Sequence, residues 1–339
     1  MLKKKIVIFK NDRGGDLLVS LKAIYALMEN NSNVTIYLSN INKSFSFLFK
    51  NSIIKEIPFD LTIFSKLKIF LYFLVNKVDE VYILTPKNFY YYLPFIFRKI
   101  KFYGIVIEGK KRNRPSNFFK KYLYKYKIIS RKDKINKETS DQIQLSLVTE
   151  DIKNKNDILK SIDLSFVNNA IKSNLFKSYV FFQFKKSFFD KLEWDLDKLD
   201  LFFNSLIYKN LKVVFCSDIK NNSMNKHFLK KYSYINFKTN EVKKNITKNI
   251  LYLHDISGKD LFYVINQANN VICPHGLISH ISSIYMKPTL ALFNFEIKNK
   301  SDFLHEKVSL SEWYPKKSFN FTFLNRDFKR TMRKFNNLT

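Results

Sequence analysis

Short apolar runs alternate with longer amphipathic segments along most of the chain. The short runs are rich in β-branched and aromatic residues, which favour strands, and the segments between them have apolar residues at helical spacing. Such alternation is typical of parallel strands joined by crossover helices. The predicted strands are 5–9, 33–38, 53–57, 80–84, 101–106, 179–184, 211–216, 250–253, 270–273 and 289–293, and the predicted helices are 16–29, 196–209, 259–268 and 279–285.

Two series of these elements follow one another, and each begins with a strand. A polar helical stretch at 140–176, ending in a linker at 172–178, separates them, and the lysine-rich segment 110–137 is predicted to be loop and surface helix. We therefore predict an α/β protein of GT-B type, in which two Rossmann-like domains face a cleft. The predicted domains are 1–175 and 176–320, and a basic C-terminal helix or tail follows at 321–339.

The composition fits a globular protein with a strongly positive surface. Of the 339 residues, 46% are hydrophobic and 26% are charged, which excludes wholesale disorder. The 59 Lys and Arg residues outnumber the 29 Asp and Glu residues and give a net charge of +30. This charge attracts nucleic acid, acidic lipid headgroups or phosphorylated sugars, but abundant Lys, Asn and Ile also indicate a genome-wide codon bias. Charge alone leaves the partner open.

The cysteine content and the apolar segments bear on the compartment. Cys216 and Cys273 are too few for a disulfide framework or a zinc site, so a reducing cytoplasm is the simplest expectation. The start of the chain lacks the apolar core of a signal peptide. The most apolar internal run, 69–75, is far shorter than the roughly 20 residues that span a bilayer. We expect a cytoplasmic protein that is soluble or lies on a membrane surface.

A first cluster of candidate binding residues follows the first predicted strand. Arg13, Gly15 and Asp16 lie between this strand and the first helix. Adjacent glycines let the backbone turn tightly beside a ligand, and a helix N-terminus offers unpaired N–H groups. Asp16 is equally well explained as the N-cap of the helix. Neither a dinucleotide fingerprint nor a P-loop is present, which argues against those two classes of site.

A second cluster lies between two late strands and contains two of the five histidines, His275 and His280. Gly276 and Ser279 lie between them, and turn formation or capping explains both as well as ligand contact does. No further Cys, His or carboxylate has ligand spacing nearby, so we expect no metal here.

Together the two clusters resemble glycosyltransferase family 9, the lipopolysaccharide heptosyltransferase-like enzymes. The first strand followed by Gly15, Asp16 and Leu17 looks like the start of these enzymes, and segment 271–293 is similar to their nucleotide-sugar motif. The resemblance implies a GT-B fold, with the acceptor bound mainly by the first domain and the nucleotide-sugar mainly by the second. It also implies inverting transfer without a metal or cofactor, with Asp16 as the catalytic base.

The remaining site residues come partly from the resemblance and partly from the need for cations beside a departing diphosphate or an anionic acceptor. His280 matches the motif histidine. In this alignment His275, Gly276 and Leu277 stand where the family has Asp-Thr-Gly, so the motif loses its carboxylate. A one-residue slip would align Gly276 with the family glycine instead. The expected acceptor-binding residues are Arg13, Gly15, Lys111 and Arg112, and the expected donor-binding residues are Lys185, Lys186, Lys191, His254, Ser257, His275, Gly276, Ser279 and His280.

Several of these residues have simpler explanations. The three lysines suit an ordinary solvated surface, Ser257 suits a helix cap, and Lys111 and Arg112 suit a solvated loop. We expect a heptose or another sugar to pass to a lipopolysaccharide-core, lipid-linked or other glycan acceptor, at the inner face of the cytoplasmic membrane. The alternatives are a basic nucleic-acid-binding protein, for which no RNA- or DNA-binding signature is found, and a non-catalytic nucleotide-sugar-binding member of the family.

Overall fold

The computed structural model describes residues 4–30, 33–107, 114–129, 139–149, 162, 164–165, 167–217, 223–244, 248–294, 319–324 and 326–336. The described residues form two compact units, of which the first ends at Ile162. Each unit is built around one mainly parallel sheet with helices, the doubly wound arrangement that the alternating pattern predicts.

The first unit has a six-stranded sheet in the order β3-β2-β1-β4-β5-β6, and every neighbouring pair is parallel. The strands are β1 (Lys5–Lys10), β2 (Asn33–Ser39), β3 (Ile53–Ile57), β4 (Glu80–Ile83), β5 (Lys101–Ile107) and β6 (Lys125–Ile129). The helices are α1 (Gly14–Val19), α2 (Leu21–Asn30), α3 (Ile63–Val75), α4 (Asn88–Ile96), α5 (Arg114–Phe119) and α6 (Ser140–Val148), with 3-10 helices at Asn40–Phe49 and Lys120–Tyr122.

The first unit differs from the sequence-based expectation in two places. The predicted helix 16–29 is two helices that meet at Ser20, whose hydroxyl donates to the Gln144 side chain of α6. The prediction of loop and surface helix for 110–137 is wrong for its middle part, because Lys125–Ile129 is a strand paired with β5. This strand is the last in the sheet, and only Ile129 of its five residues is fully buried, so lysines are tolerated in it.

The second unit has an eight-stranded sheet in the order β10-β9-β11-β8-β7-β12-β13-β14, and only the β9–β10 pair is antiparallel. The strands are β7 (Val180–Phe184), β8 (Val213–Ser217), β9 (Ser233–Asn236), β10 (Glu241–Lys243), β11 (Ile250–His254), β12 (Asn270–Pro274), β13 (Thr289–Asn294) and β14 (Phe319–Leu324). The helices are α7 (Asn169–Asn174), α8 (Lys186–Phe189), α9 (Leu196–Tyr208), α10 (Ser223–Lys231), α11 (Gly258–Gln267), α12 (Leu277–Ile284) and α13 (Phe328–Asn336), with a 3-10 helix at Asp190–Leu192.

The end of the chain belongs to this sheet. Strand β14, which the sequence pattern does not predict, runs parallel to β13, so the segment 321–339 begins inside a strand. Helix α13 then packs Phe328 against the core, with its ring 5.1 Å from the ring of Trp194. The short strands β9 and β10 were also missed, and they continue the opposite edge of the sheet.

Each sheet has one point where the direction of strand addition reverses. In the first unit, the chain adds β2 and β3 on one side of β1 and then returns to add β4 on the other side. In the second unit, β7 has β8 on one side and β12 on the other. The loops that follow two such strands diverge and leave a crevice at the carboxyl edge of the sheet, where ligands bind in this fold class.

Candidate functional site

A pocket of about 620 Å³ lies at the point where the strand order of the first unit reverses, at the carboxyl edge of the sheet. The loop after β1 contributes Asp12, Arg13 and Asp16 to its wall, so Arg13 and Asp16, both predicted as site residues, share one pocket with Gly15 between them. The other lining residues are Lys10, Phe59, Asp60, Leu84, Thr85, Pro86, Lys87, Asn88, Ile105, Ile107, Ile129 and Gln144.

Asp16 lies in the first turn of α1, and its side chain is half-buried on the pocket wall. The N-cap of α1 is Arg13, whose backbone is extended and whose side chain makes no capping hydrogen bond. The interpretation of Asp16 as the N-cap is therefore wrong. A carboxylate in the first turn is favoured by the helix dipole and faces a pocket large enough for a sugar, which suits a group that takes a proton.

A buried ion pair, Lys10–Asp12, lies at the start of the loop after β1 and lines the same pocket. The Lys10 side chain is only 2% exposed, and its Nζ lies 2.7 Å from Asp12 Oδ2 and 3.3 Å from the Leu84 carbonyl oxygen, to both of which it donates. Burial raises the pKa of the Asp12 carboxyl, and the neighbouring Lys10 ammonium works against that rise. Sequence reasoning missed this pair, although a lysine that ends an apolar strand two residues before an aspartate is a visible signal.

Hydrogen bonds from distant segments hold the loop after β1 in place. Tyr90 donates its hydroxyl to Asn11 Oδ1 at 2.7 Å, and Asn11 Nδ2 donates to the Pro58 carbonyl oxygen at 3.2 Å. Asn42 Nδ2 donates to the Asp12 carbonyl oxygen at 2.7 Å. The loop that carries Asp16 is thus tied to α4, to the segment after β3 and to a 3-10 helix, which fixes its geometry before any ligand binds.

Lys87, which immediately precedes α4, contributes a cation to the lining of this pocket. Its ammonium lies 4.4 Å from the centre of the Phe59 ring and donates to the Phe59 carbonyl oxygen. Burial lowers the pKa of Lys87, while the nearby carboxylates of Asp60 and Asp12 raise it. The pocket therefore combines the carboxylates of Asp12, Asp16 and Asp60 with cations from Arg13 and Lys87, which suits a ligand that carries hydroxyl and acidic groups.

In the second unit, the cluster after β12 is a tight turn that ends in α12. Gly276 has a φ of 150° and a ψ of −145°, a backbone conformation available essentially only to glycine. Ser279 closes the turn, because its hydroxyl accepts from the Gly276 N–H at 3.1 Å and donates to the Gly276 carbonyl oxygen at 2.7 Å. The capping explanation thus accounts for the Ser279 side chain.

The two histidines of this turn have different environments. His275 is exposed and stacks on Phe293, with a distance of 5.4 Å between ring centroids, whereas His280 is buried. Their rings lie 6.1 Å apart, so they share one side of the turn. Of the two, His275 is the one whose ring a ligand in solution can reach.

His254 lies at the end of β11 and belongs to a chain of polar side chains. Its Nδ1 lies 3.1 Å from the Tyr252 hydroxyl, which lies 2.7 Å from the Ser217 hydroxyl, and Ser217 donates to Asn225 Oδ1 at 2.7 Å. His254 Nε2 lies 3.6 Å from Asp255 Oδ2. This network joins the ends of β8 and β11, and the sequence does not reveal it.

Ser257 is occupied as a helix cap. Its hydroxyl accepts from the Asp260 N–H at 3.2 Å and donates to Asp260 Oδ2 at 2.6 Å, and it is the N-cap residue of α11. The alternative explanation from the sequence, capping, therefore describes this side chain.

The three predicted donor-binding lysines lie in different settings. Lys185 directly follows β7, and the parallel pairing of Phe182 with Ile272 brings it to the same sheet edge as His275. Lys186 forms an exposed ion pair with Asp190 one helical turn away, at 2.7 Å, and Lys191 is exposed. Lys185 is thus the lysine best placed at the reversal point of this sheet, while Lys111 and Arg112 lie outside the described residues.

Other features of the described ranges bear on metals, membranes and thiols. Within these ranges, no cluster of three or more His, Cys, Asp or Glu side chains could hold a metal ion. None of the helices in the described segments is long and apolar enough to cross a membrane. Cys216 and Cys273 are both buried and form no disulfide in the described ranges, and burial raises the pKa of the Cys273 thiol.

Comparison with solved structures identifies the fold. No protein-family model and no curated protein matches the chain in sequence. The heptosyltransferase WaaC of E. coli, solved with ADP-2-deoxy-2-fluoro heptose, is similar with a TM-score of 0.59 and 10% identity, over 98% of this chain and 99% of that one.

Two further structures extend the comparison. A glycosyl transferase family 9 protein of Veillonella parvula has a TM-score of 0.58 and 13% identity, over 98% of this chain and 89% of that one. A putative UDP-N-acetylglucosamine 2-epimerase of Listeria monocytogenes has a TM-score of 0.58 and 10% identity, over 99% of this chain and 89% of that one. At such identities the similarity establishes the fold, so the resemblance to the family 9 heptosyltransferases is confirmed as a shared GT-B fold over nearly the whole chain.

Proposed function

We propose that the chain is an inverting glycosyltransferase that needs no metal or other cofactor and moves a sugar, heptose or hexose, from a nucleotide-sugar donor to a glycan acceptor. The observation that carries the proposal is the Asp16 carboxylate on the wall of the 620 Å³ pocket, at the position where the resemblance to family 9 places the catalytic base. Support also comes from the fold shared with WaaC, which was solved with a nucleotide-heptose analogue.

The proposed chemistry uses the residues of the first unit for the acceptor. Asp16 takes the proton of the acceptor hydroxyl while the hydroxyl oxygen forms its bond to the anomeric carbon of the donor sugar. The bond from that carbon to the nucleoside diphosphate breaks at the same time, so the configuration at the carbon inverts. Arg13 and Lys87 hold acidic groups of the acceptor, and the buried Lys10–Asp12 pair keeps the loop after β1 rigid.

The residues of the second unit are proposed to bind the donor. The departing diphosphate gains negative charge, which the Lys185 ammonium and the N–H groups at the start of α12 would stabilise without a metal. The exposed His275 ring offers a face or a hydrogen bond to the nucleotide, and His254 contributes to the ribose or base end. Ser257 and Ser279 act indirectly in this proposal, because their hydroxyls are used in the caps.

The acceptor, membrane and location are part of the same proposal. A lipopolysaccharide-core or other lipid-linked glycan would meet the enzyme at the cytoplasmic face of the membrane, and the net charge of +30 favours attachment to anionic lipid. No specific nucleic-acid partner is proposed.

A second candidate is a nucleotide-sugar-binding protein without transferase activity. The observation that favours it is the sequence of the turn after β12, where His275, Gly276 and Leu277 replace the motif that carries a carboxylate in the resembling family. Both candidates require donor binding, but only the first transfers the sugar. A measurement of sugar transfer therefore separates them.

The test begins with donor binding and then measures transfer. The purified chain is melted with ADP-, GDP-, UDP- and CMP-sugars to find a stabilising donor, and transfer is then followed with glycan acceptors. Asp16→Asn should lower kcat by about 10²- to 10⁴-fold, the usual range for a general base, while donor binding stays intact. Asp60→Asn removes a second carboxylate from the same pocket and serves as the matched control, with kcat expected to stay within a few fold.

The outcomes are distinct. A wild-type chain that no nucleotide-sugar stabilises would refute both candidates. Donor binding without any transfer would favour the non-catalytic protein, and equal losses in Asp16→Asn and Asp60→Asn would exclude Asp16 as the specific base.

A further inference from the structure

One side of the first unit exposes an unusual amount of apolar surface. Helix α3 buries Ile69 and Phe73 against the core, but its outer side leaves six large apolar residues exposed. Ile63 is 85% exposed and Val75 is 83% exposed, at the two ends of the helix. The six residues are Ile63, Phe64, Leu67, Leu71, Leu74 and Val75. Soluble monomers rarely expose apolar stripes of this length without a binding partner.

The neighbouring helices extend this surface. The Phe70 ring of α3 lies 5.3 Å from the ring of Phe97, which directly follows α4, and the Phe95 ring of α4 lies 6.1 Å from the Phe119 ring of α5. Phe95 and Ile96 on α4 and Phe118 on α5 are also exposed. We call the exposed outer side of α3, α4 and α5 the apolar face.

The charge of the apolar face has one sign. The segments 61–78, 81–107 and 114–129 contain no Asp or Glu at all, although they contain many lysines. Several cations lie directly over exposed rings: Lys68 is 4.5 Å from the centre of the Phe64 ring, and Lys121 is 5.0 Å from that of Phe118. The apolar face thus presents aromatic and aliphatic side chains interleaved with positive charge.

We propose that the apolar face docks on an anionic lipid bilayer, with the outer side of α3 buried at the boundary between headgroups and acyl chains. Phe, Leu and Ile would enter this boundary while the long lysine side chains reach the anionic headgroups, as in interfacial amphipathic helices. The positive charge of the apolar face complements anionic headgroups and therefore favours a bilayer over other partners. A second copy of the chain would bring the same cations against each other across a two-fold axis, which is unfavourable. Nucleic acid would leave the aliphatic residues Ile63, Leu67 and Leu71 without an apolar partner.

The position of the apolar face relates it to the pocket of the same unit. The residues Phe59 and Asp60, which line the pocket, lie within four residues of the start of α3 at Ile63, and Asn88, which also lines it, is the first residue of α4. Docking would therefore hold the pocket close to the membrane surface. The docking proposal extends the proposed function to a membrane surface. It rests on the proposed function only for the expectation that a lipid carries the acceptor.

The test measures binding of the full chain to vesicles. Vesicles of phosphatidylcholine containing phosphatidylglycerol should pellet the wild-type chain, pure phosphatidylcholine vesicles should not, and added salt should weaken binding. The pair Leu67→Gln and Leu71→Gln should weaken partitioning by roughly tenfold or more. The pair Leu201→Gln and Tyr208→Gln removes two exposed apolar side chains from α9 in the second unit and should leave binding unchanged.

A second pair of variants tests the cations. Lys68→Gln with Lys121→Gln should weaken binding by about 25-fold, since each cation near the surface contributes about fivefold. Lys226→Gln with Lys238→Gln changes the net charge equally, at exposed positions of the second unit, and should have little effect. Circular dichroism and thermal unfolding establish that each variant is folded.

Three results would overturn the proposal. They are failure of the wild-type chain to bind anionic vesicles, equal losses in the face variants and their controls, or a wild-type dimer that Leu67→Gln with Leu71→Gln dissociates. Vesicle binding requires neither donor nor turnover. If the vesicle results are as expected and no nucleotide-sugar binds, the docking face stands while the proposed function falls.

Discussion

Replacing Lys10 by methionine tests how the buried ion pair supports the candidate acceptor pocket. Methionine keeps most of the volume of the lysine side chain and removes only its charge and its hydrogen bonds. The Lys10 ammonium donates to Asp12 and to the Leu84 carbonyl oxygen, and its side chain is 2% exposed, so water cannot take its place without rearrangement. In the variant, the Asp12 carboxylate stays buried without its cation.

The expected cost follows from this burial. Removing one partner of a buried ion pair costs about 3–5 kcal/mol, because the remaining charge is left uncompensated. Asp12 keeps 14% of its side chain exposed, which favours the lower end of the range. Spread over a unit of this size, the loss corresponds to a decrease in Tm of roughly 10 °C. Lys10→Met combined with Asp12→Asn removes both charges and should recover most of the loss.

The pH dependence gives an independent check. Burial already raises the pKa of Asp12 and Lys10 lowers it, so the pKa rises further without Lys10. The folded variant then binds a proton more tightly than the unfolded chain does, and its stability falls as the pH rises through the folded-state pKa. Thermal unfolding of wild type, Lys10→Met, Asp12→Asn and the double variant at acidic and at neutral pH measures this change in stability. A Lys10→Met chain as stable as wild type at neutral pH, or a double variant as unstable as the sum of the single changes, would refute the reasoning.

Two further predictions concern the pocket wall and the turn after β12. Gly276→Ala should cost about 1–3 kcal/mol and weaken donor binding, because a φ of 150° strains any residue with a Cβ although no atom lies within 4 Å of that Cβ. Thermal unfolding with and without donor measures both effects, and an unchanged Tm would contradict this account. Because burial lowers the pKa of Lys87, its charge is lost at a lower pH than that of an ordinary lysine, so an anionic acceptor fragment should bind less tightly as the pH rises. Lys87→Arg stays charged and should flatten that profile of Kd against pH, and identical profiles for the two chains would exclude Lys87 from binding.

The central strands of both sheets could be predicted from the sequence, and four other strands could not. Strands such as β1 and β7 are covered on both faces, so they read as continuous apolar runs. Strands β6 and β10 and the last strand, β14, lie at sheet edges, and β9 lies next to one. Because β6 contains lysines and β9 and β10 are short, these segments resemble loops in the sequence. Lysines and short strands are common at sheet edges, where they prevent pairing with other chains.

The candidate site was predictable only where its signal is local. Arg13 and Asp16 flank two glycines where the first strand passes into a helix, a pattern contained in a few neighbouring residues. Lys87 reaches the same pocket from the loop after β4, far from Asp16 in the sequence. The spacing of Lys10 and Asp12 is visible in the sequence, but only the structure shows that the two side chains form a buried ion pair. The roles of Ser257 and Ser279 depend on hydrogen-bond geometry. Residue spacing alone does not decide whether such a serine caps a helix or contacts a ligand.

The pairing of the last strand with β13 has a practical consequence for recombinant work. A chain shortened to end before Phe319 would expose β13 as the new margin of its sheet, and Leu290, Ala291, Leu292 and Phe293 in that strand are all buried in the intact protein. Unpaired N–H and C=O groups along so apolar a strand are a template for intermolecular pairing, so the shortened chain should aggregate. Affinity tags are better placed at the N-terminus, and the basic end of the chain should be kept whole even though its sequence looks dispensable.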